Sequence, residues 1–239
     1  MALVKTEAIV LKSDNYREKS KILTLYTKSF GKLRTIAKGV RDTKSKWGGV
    51  LQSMAYLNIM IYLHENKTLH LLSTAEYENA FQSLPGDYEK MKIGFRIVEM
   101  VNRTTMDNHV IRGLFELLVS SLSALDSATK NYVNVLFYFE FKLAGLLGIA
   151  VNPDSIVERG NPGRLNPKVP GNVLFTVKNA ELLRTFTANR LDEIMELELT
   201  GVSARLFDNF LDFHFREHFE SIGYSKTKKV FNSKELHVK

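Results

Sequence analysis

The chain changes its hydrophobic period once, at Ser83-Leu84-Pro85-Gly86-Asp87. Before that point apolar residues alternate with polar ones, as along a half-buried strand; after it they recur about every 3.6 residues, as along an amphipathic helix. Strand-forming and helix-forming sequence that do not interleave give an α+β protein rather than a parallel α/β one. Pro85 and Gly86 end the last strand, and Asp87 is placed to cap the first helix.

In the first part, Val4–Lys12, Ile22–Thr27, Leu33–Ala37, Leu51–His64 and Thr68–Glu78 read as strands. Ser13-Asp14-Asn15, Ser29–Lys32 and Glu65–Lys67 supply turn chemistry between them. Five strands, mostly joined as a meander, suit a small closed barrel, which removes the sheet edges that would otherwise aggregate. In the second part, Tyr88–Arg103 aligns Met91, Phe95, Val98 and Val101 on one face, and His109–Leu125 aligns Ile111, Leu114, Leu118, Leu122 and Leu125. Asn131–Leu147 is apolar nearly all round and reads as the central helix, stopped by Gly148. Asn179–Thr187 and Leu191–Leu199 follow, and Ser203 is placed to cap Ala204–Ile222. Residues 150–174 hold four of the five prolines and read as an ordered turn-rich insertion or a mobile loop. The expected organisation is a barrel domain over residues 1–80 and a helical domain over 81–239.

Charge separates the two parts. Residues 1–50 hold twelve Lys and Arg against four Asp and Glu, whereas the remainder holds 21 against 22. The formal charge of +7 is therefore a local field, which steers polyanions to one region. It is densest over Phe30–Gly49, where Lys32, Arg34, Lys38, Arg41, Lys44 and Lys46 face one acid, Asp42, and the only tryptophan, Trp47, precedes Gly48 and Gly49. Cations threaded with an aromatic suit a phosphate backbone with a stacked base; a solvated loop has the same composition. A membrane is the competing polyanion, but the segment reads as strands, not as a basic amphipathic helix.

Other chemistries find little support. The chain has no cysteine, which excludes disulfides and thiol catalysis. It has no P-loop, G-x-G-x-x-G or G-x-S-x-G motif. Asp192, Glu193, Glu196 and Glu198 read as a solvated helix face. His214-Phe215-Arg216-Glu217-His218 has the H-x-x-E-H spacing that puts two imidazoles on one helix face, so a metal hydrolase at His214 and His218 is a remote alternative. No apolar run reaches the roughly 18–20 residues that cross a bilayer, and the first residues lack a signal-peptide pattern. No cofactor is expected, and the expected location is the cytoplasm.

Glu7–Lys12, Tyr16–Thr27, Phe30–Arg34, Ala37–Arg41 and Gly49–Gln52, in this order and spacing, resemble the RecO family of bacterial recombinational-repair proteins. The resemblance is dense over about the first 80 residues and one of general layout beyond. It implies an N-terminal OB-fold barrel followed by an all-α domain. It also implies binding of single- and double-stranded DNA, annealing of complementary strands, and loading of RecA onto DNA coated with single-strand-binding protein (SSB). RecR and the acidic SSB tail are the implied partners. Many members carry a four-cysteine zinc module in the insertion; residues 150–174 have no cysteine, so that module is not expected here. On this reading Lys32, Arg34, Lys38, Arg41, Lys44 and Lys46 contact phosphates, and Lys12, Arg17, Lys19 and Lys21 widen the surface. Trp47 stacks a base or packs at the barrel's end. An RNA-binding OB module is the alternative that the residues leave open.

Overall fold

A computed structural model describes residues 2–42, 49–65, 67–153 and 177–219. Five strands come first: β1 (Ala2–Tyr16), β2 (Ser20–Thr27), β3 (Gly31–Ala37), β4 (Tyr56–Leu63) and β5 (Leu69–Asn79). After a 3-10 turn at Leu84–Gly86 come α1 (Tyr88–Thr104), α2 (Leu114–Ser127), α3 (Tyr132–Leu146), α4 (Val177–Ala188), α5 (Leu191–Met195) and α6 (Gly201–His218). The chain forms two compact units, Met1–Asp126 and Ser127–Lys239, so α1 and nearly all of α2 belong with the strands.

The strands close into a barrel with neighbour order β1-β2-β3-β5-β4, β4 returning to β1. The meander expected from the short turns holds for β1-β2-β3 and for the β4-β5 hairpin, and fails only between β3 and β4. β3 then pairs in parallel with β5 through Arg34–Leu69, Thr35–His70 and Ile36–Leu71, while β4 joins β1. Turn length fixes which strands are consecutive, not which become neighbours when the sheet curls shut. Alternation fills the interior with Val10, Leu23, Leu25, Leu33, Leu57, Ile59, Ile61 and Leu72.

Three other expectations change. Ser13-Asp14-Asn15 does not break β1: these residues pair with Leu23, Ile22 and Lys21, and the turn falls at Arg17, whose φ is 51°. The strand expected from Leu51 starts at Tyr56. A bulge between Val10 and Lys12 lets Met54 N donate to Val10 O (2.8 Å) and Val10 N to Ala55 O (3.0 Å), so 51–55 folds under β1 instead of extending β4. The helix expected from His109 starts at Leu114, because 105–111 lies along the barrel: Asn108 N donates to Lys32 O (2.8 Å) and Ile111 N to the Tyr26 hydroxyl (3.2 Å). Gly31, at φ 67°, permits this approach, since a Cβ there would stand 2.0 Å from His109 O.

The helices follow their sequence signals more closely. Asp87 caps α1, its carboxylate accepting from Glu89 N (2.9 Å) and Lys90 N (3.1 Å). Of the α1 face, Val98 and Val101 are buried, but Phe95 is exposed. In the second unit nine of the fifteen residues of α3 are buried, and Phe137 and Phe141 meet Phe186 of α4 and Phe207 of α6 at ring distances of 5.7 to 6.2 Å. Thr200, not Ser203, caps α6: its hydroxyl accepts from Ser203 N. The insertion at 154–174 and the basic tail from Tyr224 lie outside the described residues.

Candidate nucleic-acid interface

Strand register decides which basic side chains share a surface. Lys12 pairs with Thr24, Thr24 with Arg34, and Arg34 with Leu69. Residues paired across strands project to the same side, and their sequence neighbours Leu23, Leu25, Leu33 and Thr35 are buried. Lys12 and Arg34 therefore stand on the outside of β1–β3, both exposed. The side chains of Arg34 and Lys38 form no hydrogen bond or ion pair with the described residues. Lys12 meets Asp14 at 2.6 Å.

Beyond this row, two turns come together at one end of the barrel. Arg41 N donates to Lys19 O (3.2 Å), and its guanidinium donates to Arg17 O (3.1 Å). Lys19 meets Asp42 at 3.2 Å. The Arg17 guanidinium lies 5.3 Å from the centre of the Tyr16 ring. Arg17, Lys19, Lys38 and Arg41 are thus exposed around one end, with Glu18 and Asp42 among them. The Lys12–Asp14 and Lys19–Asp42 pairs lie in solvent, where such contacts are weak and a phosphate competes for the same ammonium. Lys21 is half-buried and donates to Leu51 O at 3.3 Å, at the margin of this surface.

Lys32 is a correction. It is 9% exposed, and its ammonium donates to Asn102 O (2.9 Å) and Thr105 O and meets Asp107 at 3.5 Å. Those acceptors come from the end of α1 and the segment after it, so Lys32 holds the barrel to its helix and is not available to phosphate. Lys44, Lys46 and Trp47 lie outside the described residues. Tyr16 is an aromatic beside the cations that the sequence reading passed over; its place in a turn-flanking pair with Arg17 was the signal.

Each histidine of the pair has one ring nitrogen on a backbone carbonyl. His214 Nε2 faces Ile149 O at 2.7 Å, and His218 Nδ1 faces His214 O at 2.8 Å. Burial pushes the His214 imidazole below its ordinary pKa, against the hydrogen bond to Ile149. Among the described residues no three His, Asp or Glu side chains are grouped to hold a metal ion. None of the described helices is long and apolar enough to cross a membrane.

A closed barrel in the order 1-2-3-5-4, with cations on its β1–β3 exterior, followed by an all-α region, defines an OB-fold protein with a helical second part. The chain belongs to the recombination protein O (RecO) family of DNA repair and recombination proteins: the model for the family's N-terminal part matches residues 1–81 and that for its C-terminal part residues 85–227. It is similar to the DNA repair protein RecO of Chloroherpeton thalassium, at 26% identity over 95% of this chain and 97% of the relative. The DNA repair protein RecO of Thermoanaerobacter sp. is 28% identical over 92% and 94%. That of Salinibacter ruber is 36% identical over 62% and 57%.

Proposed function

We propose that this chain is a non-enzymatic mediator of DNA repair that binds single- and double-stranded DNA at the basic end and outer β1–β3 face of its barrel. It anneals complementary strands and helps load RecA onto SSB-coated DNA, with RecR and the acidic SSB tail as partners. The observation that carries the DNA site is the meeting of the 17–19 and 38–42 turns, which gathers Arg17, Lys19, Lys38 and Arg41 beside Arg34 and Lys12. Lys44, Lys46 and Trp47 join the proposal by their position in sequence, directly after Asp42.

The chemistry requires no general base and no metal. Two complementary strands repel through their phosphates; cations that neutralise part of that charge while leaving the base edges free lower the barrier to pairing. A sequence-independent cationic surface suits a protein that must act wherever a strand is exposed.

The test is binding of a mixed-sequence DNA strand across a salt series, followed by fluorescence anisotropy. With about five phosphates neutralised, log affinity should fall against log salt with a slope near −3.5. Replacing Arg17, Arg34 and Lys38 by Ala should bring the slope to about −1.4, three contacts fewer, and should slow annealing of complementary strands in parallel. An unchanged slope would move the DNA site off this surface. Tighter binding of a matched RNA strand would assign the barrel to RNA instead.

A further inference from the structure

The shortest seam of the barrel carries a buried histidine. β3 and β5 run parallel and pair at three positions, Arg34–Leu69, Thr35–His70 and Ile36–Leu71, whereas each of the other four seams pairs over seven or eight. Parallel pairing is also slightly the weaker per residue. The middle pair, Thr35 and His70, points into the barrel. These two residues alternate with Arg34, Ile36, Leu69 and Leu71 on the outside, and share the inner side of Leu33, Ala37 and Leu72. Thr35 is fully buried and His70 is 4% exposed.

The surroundings hold His70 in its neutral form. The backbone N–H of His64, just past β4, donates to His70 Nδ1 at 3.3 Å, so Nδ1 is the unprotonated nitrogen and the ring proton sits on Nε2. This bond ties β5 back to the β4–β5 hairpin. Across the seam, the Thr35 hydroxyl makes no hydrogen bond, so the ring has no polar partner on β3. The interior into which it points is built of apolar side chains, among them Leu23, Leu33, Ile61 and Leu72. Lys5 and Arg34 are exposed on the outer faces of β1 and β3, and Glu65 and Lys67 are exposed in the hairpin. Among the described residues no carboxylate pairs with His70, and His64 is the one titratable group that acts on it. Burial, and then repulsion from His64, push the His70 imidazole below its ordinary pKa.

We propose that His70 is an acid-sensitive latch on the β3–β5 seam: neutral, it keeps the barrel closed, and protonated, it releases that seam before the other pairings give way. The added proton goes to Nδ1. A donor then faces the donor of His64, their hydrogen bond is lost, and a cation is left in an apolar interior. Opening returns the ring to water, where it charges at its ordinary pKa. The open form therefore takes up the proton first. The closed form keeps its full stability above about pH 6.5 and loses it as pH falls from there towards the lowered pKa of the buried ring. Carboxylates ordinarily titrate lower, near pH 4. His214, buried in the second unit, has the same sign, so the seam is read residue by residue and not from one unfolding curve.

The test is amide hydrogen exchange of the full chain, followed by mass spectrometry between about pH 7.5 and about pH 5.5 and corrected for the intrinsic exchange rate. Over this range the protection of residues 33–37 and 69–72 should fall severalfold, towards the roughly tenfold limit set by an open-state pKa near 6.5. Protection of the β1–β2 pairing, at residues 8–14 and 22–27, should hold. Seam protection that does not change would overturn the latch, as would a loss shared equally by both pairings. In His70→Gln the side-chain oxygen accepts from His64 N but takes up no proton, so seam protection should no longer depend on pH; a dependence that survives there would also overturn the assignment. Should that variant not fold, the unaltered chain decides through the His70 imidazole resonances in an NMR titration. A midpoint below the ordinary 6.5, moving together with the seam amides, supports the latch, and a midpoint at or above it overturns it.

Discussion

A lysine ammonium taken out of water needs acceptors, and Lys32 finds them in Asn102 O, Thr105 O and the Asp107 carboxylate. Six residues on, Lys38 is exposed and its side chain makes no hydrogen bond or ion pair with the described residues. Replacing Lys32 by Met would leave two carbonyl oxygens without their donor. The expected cost is about 1–3 kcal/mol of stability, seen as a lower urea midpoint, with the salt slope of DNA binding unchanged. A flattened slope in Lys32→Met would return Lys32 to the phosphate surface. Charge density at residues 28–46 was legible in the sequence because it is a property of composition. The division of labour between Lys32 and Lys38 was not, because it depends on where residues 102–107 come to lie, some 70 positions away.

At the scale of elements, barrel closure depends on the β1–β4 seam. Glu7 of β1 accepts from the Lys28 ammonium at 2.6 Å and from the hydroxyl of Tyr56, the first residue of β4. The hydrogen bond from Lys28, then that from Tyr56, holds the Glu7 carboxyl below its ordinary pKa of 4.5. A carboxylate with a depressed folded-state pKa contributes stability that is complete above the unfolded value and is lost as pH falls through the folded one. Glu7→Gln should therefore melt lower than the unaltered chain at neutral pH, and the gap should close as pH is taken below about 4.5. Melting curves from pH 7 to pH 3 check this; a gap that does not depend on pH would mean that the clasp adds nothing through its charge. The seam itself could not be read in advance. Period 2 identified five strands, and the change to period 3.6 placed α1, because both are local patterns. The β3–β5 parallel pairing, the β1–β4 closure and the detour of 105–111 along the barrel are contacts between distant segments, decided by which exposed apolar faces remain to be covered.

At the scale of the molecule, the extent of the barrel unit is open to a direct measurement. The family models part the chain between residues 81 and 85, yet α1 and α2 cluster with the strands as far as Asp126. The outside of the barrel shows what those helices do. Ile9 is fully buried but stands apart from the barrel interior, on the side where α1 packs against β1. Tyr26 is 1% exposed, its hydroxyl receiving Ile111 N. Tyr56 lies against Phe81 and edge-on to Phe115 of α2. A fragment ending at residue 81 would return Ile9 and Tyr26 to water, at about 1.5–3 kcal/mol for a side chain of this size, and would leave the Lys32 ammonium without its carbonyl partners. Domains of this size hold only about 5–15 kcal/mol in total, so losses at three or four places together consume most of it. Residues 1–126 should therefore unfold cooperatively in urea and give a dispersed amide spectrum, whereas residues 1–81 should be unfolded or aggregated under the same conditions. The larger fragment should also keep most of the salt dependence of strand binding, since every described cation of the proposed surface lies within it. Equal stability of the two fragments would show that the strands hold their shape without α1 and α2, and that burial of Ile9 and Tyr26 is incidental to the barrel.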